Sequence, residues 1–516
     1  MRTPLRTLAA SAAVLGLTLT ACGTEPAERT AASQGAAVTA ADEAVAEFAQ
    51  VDPNLVAGLL PTVYSDESRN VRAEVPVVTT ARQMTSAMEV LRERGLREAA
   101  WAKATKVDIG YRVVASGPGT LGIVVTPTWS TEAGDISRPS MVWYDAATKR
   151  VFSSPALIQE SAWGAFTEQV AAAAGRKVDK EKLAAALAAD AAPQGDGPML
   201  GFDPDGNLVA QFAPGVLDKK KMVAVTVRAG DAQPLLSEFG KRAESASHSP
   251  TAFDGTPPPG VLPETEPTTD GASTPAPTPA ATPADATTPQ RPSTAVGPDC
   301  TRLKCVALTY DDGPGTETPK LLAALIEAKA PATFFQLGQM VQANPTIAKQ
   351  VASDGNEVGS HSFSHPNLSQ MGAARLQKEI VENAAVLEEA YGRKPMIFRP
   401  PYGAHNKTVD EVIRSTGAAI IQWDVDTSDW RTRNAAATEN AVVNGKGLQQ
   451  GSVVLMHDIH PSTVAAAPKI LAGLQQKDVT LVTVSELSLN SSPGYQAGRA
   501  YCNITSRAQN GFDCRG

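Results

Sequence analysis

The sequence predicts an α/β protein: a distorted (β/α)7 barrel preceded by a smaller α+β domain. Three observations carry this expectation. The chain has 516 residues, more than one ordinary hydrophobic core accommodates and enough for two domains. From Ser247 to Pro298 the composition shifts to Pro, Thr, Ala and Ser, as in Thr274-Pro275-Ala276-Pro277-Thr278-Pro279. Such a stretch cannot bury enough apolar surface to fold, so it marks a disordered linker. Beyond it, short apolar runs alternate with amphipathic helical stretches, the pattern of a parallel sheet closed, or nearly closed, into a barrel. The expected organisation is a leader over 1–21, a tether over 22–40, an α+β domain over 41–246, the linker over 247–298 and the barrel over 299–516.

The leader begins with Arg2 and Arg6, and Leu8 to Thr20 forms an apolar run of about 13 residues. That is short of the ~20 residues a membrane-spanning helix needs and suits a signal-peptide core. Leu19-Thr20-Ala21-Cys22 resembles the bacterial lipobox, which implies cleavage before Cys22 and a lipid anchor on its thiol. The polar tether that follows suits a membrane-anchored spacer.

The α+β domain opens with helical patterns over Asp42 to Phe48 and Ala81 to Ala104. Lys106 to Val114 and Leu121 to Trp129 are strand-like and are separated by the turn Gly117-Pro118-Gly119; Met141 to Tyr144 and Arg150 to Phe152 form a second hairpin. Alanine-rich helices are expected at Trp163 to Ala174 and Lys180 to Ala189. Gly201 to Phe212 gives strand-turn-strand, Met222 to Val227 another strand, and a closing helix is expected around Leu235-Leu236. The last ~45 residues resemble the extracellular RsiV-type domain of lysozyme-sensing anti-sigma factors, which would make this domain a wall-binding or spacer module.

The barrel strands are expected at Cys305–Tyr310, Ala332–Gln336, Glu357–Ser360, Met396–Phe398, Ala418–Trp423, Ser452–Met456 and Val479–Val484. Helical patterns lie between them at Lys320–Ala328, Ala373–Tyr391 and Thr463–Gln475; in the first, Leu321, Leu322, Leu325 and Ile326 share one face.

Composition narrows the chemistry. A net charge of −8 offers no basic balance that would point to a nucleic-acid partner. Five cysteines are too few for a small disulfide scaffold. Without Cys22, four remain at the two edges of the barrel domain, and three pairings are possible. Closeness in sequence favours Cys300–Cys305 with Cys502–Cys514 over a staple joining the domain's ends. Neither pair has the CxxC spacing of a four-cysteine metal site. Five of the six histidines (His361, His365, His405, His457 and His460) lie in the last third, so imidazole chemistry is expected there.

Reactive residues of such barrels sit where strands end. The first strand ends in Thr309-Tyr310-Asp311-Asp312-Gly313-Pro314, where two adjacent carboxylates are costly to ionise together unless a cation intervenes. The third ends in Ser360-His361-Ser362-Phe363-Ser364-His365; a helical turn there would put the two histidines on one face. With Asp312 they form a His₂-carboxylate set that fits zinc, with cobalt or nickel as alternatives. Arg399-Pro400-Pro401-Tyr402-Gly403 is a rigid loop able to aim a backbone N–H. Asp424 to Trp430 and Leu455-Met456-His457-Asp458 follow the next strands. Each motif alone has an ordinary structural explanation; together they recur at strand ends of one repeat architecture.

TYDDGP, HSFSH, RPPYG, DTSDW and LMH, in this order, resemble the five motifs of the NodB-type polysaccharide deacetylases, carbohydrate esterase family 4, over about residues 303 to 490. Tyr310 stands where Phe is commoner. The resemblance implies Asp311 as general base, Asp312, His361 and His365 as ligands of a divalent metal, and His457 as general acid. It implies Arg399 as the partner of the base, and the Tyr402 N–H as an oxyanion donor. Asp429, with Asp426 as the alternative, would orient Arg399 or His457; Trp430 would line the groove and Leu455 contact the acetyl methyl. His405 and His460 match no family role. The implied reaction removes N-acetyl groups from a polysaccharide. A lipid anchor would hold the enzyme outside the cell membrane, where the wall's peptidoglycan is the nearest such polymer. Chitooligosaccharide and acetylxylan are alternative substrates. A non-catalytic wall-binding lipoprotein is the rival class, against which the intact acid, base and ligand positions argue.

Overall fold

The computed structural model describes residues 46–175, 178–188, 197–258, 260–261, 290–489 and 494–503. Cys22, the leader, the tether, the middle of the linker and Cys514 lie outside them.

The first region contains a seven-stranded sheet: β1 (Leu59–Asp66), β2 (Val71–Val78), β3 (Lys106–Gly117), β4 (Thr120–Thr131), β5 (Gly134–Ser137), β6 (Ser140–Asp145) and β7 (Arg150–Phe152). The order is β1-β2-β3-β4-β6-β7, with β5 added to β4. β2 and β3 are parallel, so they need a crossover, which the helix Arg82–Trp101 supplies. A second, antiparallel sheet consists of β8 (Met199–Phe202), β9 (Leu208–Phe212) and β10 (Val223–Val227).

Three sequence expectations are corrected here. Ala46–Gln50 is not helical: Ala49 N–H donates to Phe202 O and Val51 N–H to Val113 O, so the segment is drawn out along strands. The closing helix is not at Leu235-Leu236, where Pro234 allows only a short 3₁₀ turn; it runs Glu238–His248, capped by Ser237. The linker is also shorter than 247–298. Phe253 is fully buried and pairs with Leu55 and Ala57, while Ser153 N–H donates to Thr294 O and Val296 enters the core. Both ends of the linker therefore dock on the first region.

The second region is a curled sheet of nine strands: β11 (Lys304–Asp311), β12 (Thr333–Gln336), β13 (Glu357–Ser360), β14 (Ile397–Phe398), β15 (Ala419–Ile421), β16 (Val425–Asp426), β17 (Val453–His457), β18 (Val479–Val482) and β19 (Ala500–Tyr501). All pairings are parallel, in the order β16-β17-β11-β12-β13-β14-β15-β19, with β18 on β11. The ends meet at Asn503 without a continuous ladder: its Nδ2 donates to Asp424 Oδ2, next to β16, and its backbone forms an isolated antiparallel bridge with Ser452. This is the distorted barrel expected. Alternation along β11 sends Cys305 and Ala307 into an inner core with Phe335, Ile397, Ala419, Ile421 and Val453. Val306, Leu308 and Tyr310 face outward to the helices, including Leu321, Leu322 and Leu325. Cys300 and Cys305 form a disulfide. Cys502 is also disulfide-bonded.

The two regions pack into one body. The helix Arg82–Trp101 buries a charged face against the barrel. Arg97 donates to Gly355 O and pairs with Glu486 at 2.5 Å; Arg393 pairs with Glu89 and Glu93; Arg92 bonds Glu89 at 2.7 Å. Tyr64 OH bonds Ser353 Oγ at 2.7 Å, and Arg69 pairs with Asp354. Two barrel glycines mark where this contact is closest. A Cβ on Gly355 would lie 2.2 Å from Arg97 N, and one on Gly392 2.2 Å from Val63 O. Removing one member of a buried pair leaves the other charge desolvated and alone. Arg97→Ala is therefore expected to lower stability by about 3 kcal/mol, read as a lower urea midpoint with an unchanged slope.

Candidate active site

Inward alternation continues to the strand ends. On β11 it points Thr309 and Asp311 inward; on β17 it points Leu455 and His457 the same way. Asp311 and His457 are direct partners in the β11–β17 ladder, so they stand side by side at one level. Ser360 pairs with Phe398, which brings the following residues, His361 and Arg399, to the same rim.

Arg399 is completely buried. Its Nη1 donates to Asp311 Oδ1 at 2.8 Å and Thr309 Oγ1 at 2.7 Å, its Nε to Ile421 O and its Nη2 to Gln422 O. The guanidinium lies 4.1 Å from the Phe335 ring centre. Burial pushes the Asp311 carboxyl above its ordinary range, against the pull of Arg399 and His457.

Asp312, His361 and His365 offer donor atoms that all lie within 4.8 Å of one another. Asp312 Oδ1 is 3.5 Å from His361 Nε2 and 3.3 Å from His365 Nε2, and it is buried without a hydrogen-bond partner. His361 Nδ1 bonds Arg399 O at 2.7 Å, which makes Nδ1 the protonated nitrogen and turns the Nε2 lone pair toward Asp312. Burial pushes the His361 imidazolium down to about 3, which keeps the ring neutral and able to ligate. An orphaned buried carboxylate oxygen facing two imidazole nitrogens fits a divalent cation.

The helical turn expected for the two histidines is corrected. His361 to Pro366 is irregular, with left-handed backbone at Ser362 (φ 69°) and His365 (φ 63°). The histidines converge because the loop doubles back, not because they share a helix face.

Asp429, not the exposed Asp426, meets His457. Its Oδ1 bonds His457 Nδ1 at 2.8 Å, and its Oδ2 accepts from His457 N–H and Thr463 Oγ1. Asp426 Oδ1 instead accepts from Ser428 N–H. Burial pulls the His457 imidazolium down, but the Asp429 hydrogen bond and the Asp311 carboxylate outweigh it, and the group sits above its ordinary value. Burial pushes Asp429 up, but its bonds with His457 and Thr463 hold it below the usual range.

Tyr402 has left-handed backbone (φ 60°), and its ring packs edge-on to His365 at 4.6 Å. Tyr402 and Trp430 are 68% and 49% exposed, the two large aromatic side chains so exposed among the described residues, and both belong to loops of this rim. Leu455 is buried two positions before His457. On the Asp312 and His365 flank a cavity of about 570 Å³ is lined by Leu337, Met340 and Ile459. A cavity of about 640 Å³ in the first region, against Trp101 and Trp129, touches none of these residues.

His405 pairs with Asp410, and His460 Nδ1 accepts from Arg433 at 2.6 Å; neither enters the cluster. The sequence reading assigned nothing to Thr309, Thr463 or Glu379. Thr309 was recoverable, because it shares the inward register of Asp311. Thr463 and Glu379 lie in helical stretches with no motif to mark them.

The profile of the polysaccharide deacetylase family matches residues 299–421. A peptidoglycan-N-acetylglucosamine deacetylase, PgdA, of Listeria monocytogenes is 40% identical over 200 residues, covering 38% of this chain and 42% of that protein. A peptidoglycan-N-acetylmuramic acid deacetylase, PdaC, of Bacillus subtilis is 38% identical over 185 residues, 36% of this chain and 38% of its own. The chain thus spans about two-fifths of the length of these two relatives. A peptidoglycan-N-acetylglucosamine deacetylase of Bacillus cereus is 37% identical over 190 residues, covering 36% of this chain and 88% of that protein. With the five motifs gathered at one barrel rim and that relative matched over nearly its whole length, the chain belongs to the polysaccharide deacetylase family.

Proposed function

We propose that the protein is a metal-dependent N-deacetylase of cell-wall polysaccharide, releasing acetate from N-acetylglucosamine or N-acetylmuramic acid units of peptidoglycan. The observation that carries this reading is the pairing of Asp311 and His457 at one level of the β11–β17 ladder, beside the Asp312–His361–His365 cluster.

An amide needs an activated water and a protonated leaving group, because a free amide anion leaves poorly. A divalent ion held by Asp312, His361 and His365 would polarise the acetyl carbonyl and acidify a water. Asp311, fixed by Arg399, takes the proton from the attacking water. The left-handed turn at Tyr402 supports an oxyanion donor there: the side chain swings out to solvent while the backbone stays at the rim. His457, held by Asp429 with Nδ1 protonated, presents Nε2 to the departing nitrogen and donates its proton. Trp430 and Tyr402 provide flat faces for sugar rings, and Leu455 an apolar contact for the methyl.

The same proposal places the protein outside the cell membrane, tethered through a lipid on Cys22. The lipobox-like Leu19-Thr20-Ala21-Cys22 supports this, and Cys22→Ala is expected to move the protein from the membrane fraction to the soluble fraction.

Acetate release from purified peptidoglycan is expected to stop with EDTA and return with zinc or cobalt. His361→Ala should lose the metal, whereas His457→Ala should keep it and turn over about 100- to 10,000-fold more slowly. Equal metal content and normal rates in both variants would refute the assignment. His457 must be protonated to act, so activity falls as pH rises through its raised pKa. Asp429→Asn removes the charge that raises it and is expected to shift the alkaline limb of kcat to lower pH.

A further inference from the structure

Because the two histidines do not sit on a helix, something else must set their spacing. Helix geometry fixes residues four apart without help; a loop with two left-handed residues does not. The segment 361–365 is gripped from two sides. On one side, Gly338 N–H donates to Ser362 O at 3.2 Å and Gln339 N–H to Phe363 O at 3.1 Å. On the other, one carboxylate takes the loop's own donors. Glu379 Oε2 accepts from Phe363 N–H at 3.1 Å and Ser364 N–H at 2.8 Å, and Glu379 Oε1 accepts from Ser364 Oγ at 2.7 Å. Glu379 is 7% exposed.

The helix that supplies it is itself irregular there. Gln377–Glu382 is a π-helical segment between the α-helical runs Ala373–Leu376 and Asn383–Tyr391. Within it the Glu379 carbonyl also accepts from Phe363 N–H at 3.1 Å. A wider turn diverts a backbone carbonyl from the helix ladder and re-aims side chains, and such turns concentrate at functional sites. Four residues on, Asn383 Nδ2 donates to Ser360 Oγ at 2.9 Å, immediately before His361. The π-turn thus brings one helix face against Ser360, Phe363 and Ser364 of the segment that carries the two histidines.

We infer that Glu379 is a positioning residue that fixes the distance between His361 and His365 and so sets the affinity of the site for a divalent cation. The inference rests on the reading of Asp312, His361 and His365 as ligands. Glu379 touches none of the reacting groups; it acts by holding the Phe363 and Ser364 amides that separate the two imidazoles.

The test is metal affinity of the full-length protein, measured by competition with a chromogenic chelator and by the visible absorption of bound Co²⁺. Glu379→Ala and Glu379→Asp should weaken binding roughly 10- to 100-fold, as for other outer partners of metal ligands. Glu379→Asp keeps the charge but shortens the reach, so it reports on geometry if the alanine variant does not fold. Glu379→Gln should bind within a few-fold of wild type, because its Oε1 can accept both amides while its NH₂ faces the Ser364 hydroxyl. Wild-type affinity in the Ala and Asp variants would overturn the inference. So would a Gln variant as weak as Ala, because charge and not loop geometry would then be at work. Should His361→Ala bind Co²⁺ as tightly as wild type, the ligand assignment itself fails, separately from the role of Glu379.

Discussion

A guanidinium sealed from solvent must find every partner within the protein, and Arg399 finds its partners on strands from opposite parts of the barrel. It holds Asp311 and Thr309 on β11, takes the carbonyls of Ile421 and Gln422 at the end of β15, and lies on Phe335 from β12. Its own carbonyl accepts from His361. One residue therefore orients Asp311, the proposed base, selects the tautomer of His361, a proposed metal ligand, and fills the barrel mouth. Burying such a charge is costly unless it is paired and hydrogen-bonded; here Asp311 pairs with it and each of its three nitrogens donates at least one hydrogen bond. The inner core beneath it, built from Ala307, Phe335, Ile397 and Val453, fixes the level at which it sits.

The polar chain extends outward from Arg399 through further side chains of the rim. His457 is oriented by Asp429, which is anchored by Thr463. Asp312 belongs to a loop whose Gly315 N–H bonds Thr318 Oγ1, and that hydroxyl donates to buried Asp458, next to His457. Burial pushes the Asp458 carboxyl up to about 7. The loops that carry Asp312 and His457 are thus joined behind the site as well as at its rim.

Much of this was legible from sequence. The seven strand-like runs all became strands because each is short and apolar, and five of them are followed by the motifs whose residues converge at the site. What was hidden depends on tertiary context. The two-residue strand β16 and the short β19 carry too few residues for a periodic signal. β1 and β2 escaped because β1 is largely exposed and mixed in character. The HxxxH spacing suggested a helix because four is a helical interval, yet an irregular loop achieved the same convergence with support from Glu379, which is distant in sequence. The helix at Arg82–Trp101 was legible as a helical pattern, but nothing local marks its arginines and glutamates as buried; only the barrel packed on them does.

The docked ends of the linker change what that stretch can do. Thr251 and Phe253 at one end, and Arg291, Thr294 and Val296 at the other, are bound to the same first region, which in turn is bolted to the barrel by Arg97, Arg393 and Arg92. A proline-rich spacer between independent domains would lengthen the reach of the catalytic half; a stretch returned to its starting point adds none. A protease that cut between Val261 and Gln290 would leave two polypeptides that still behave as one molecule, so scission there would be silent in any assay of size under native conditions or of activity.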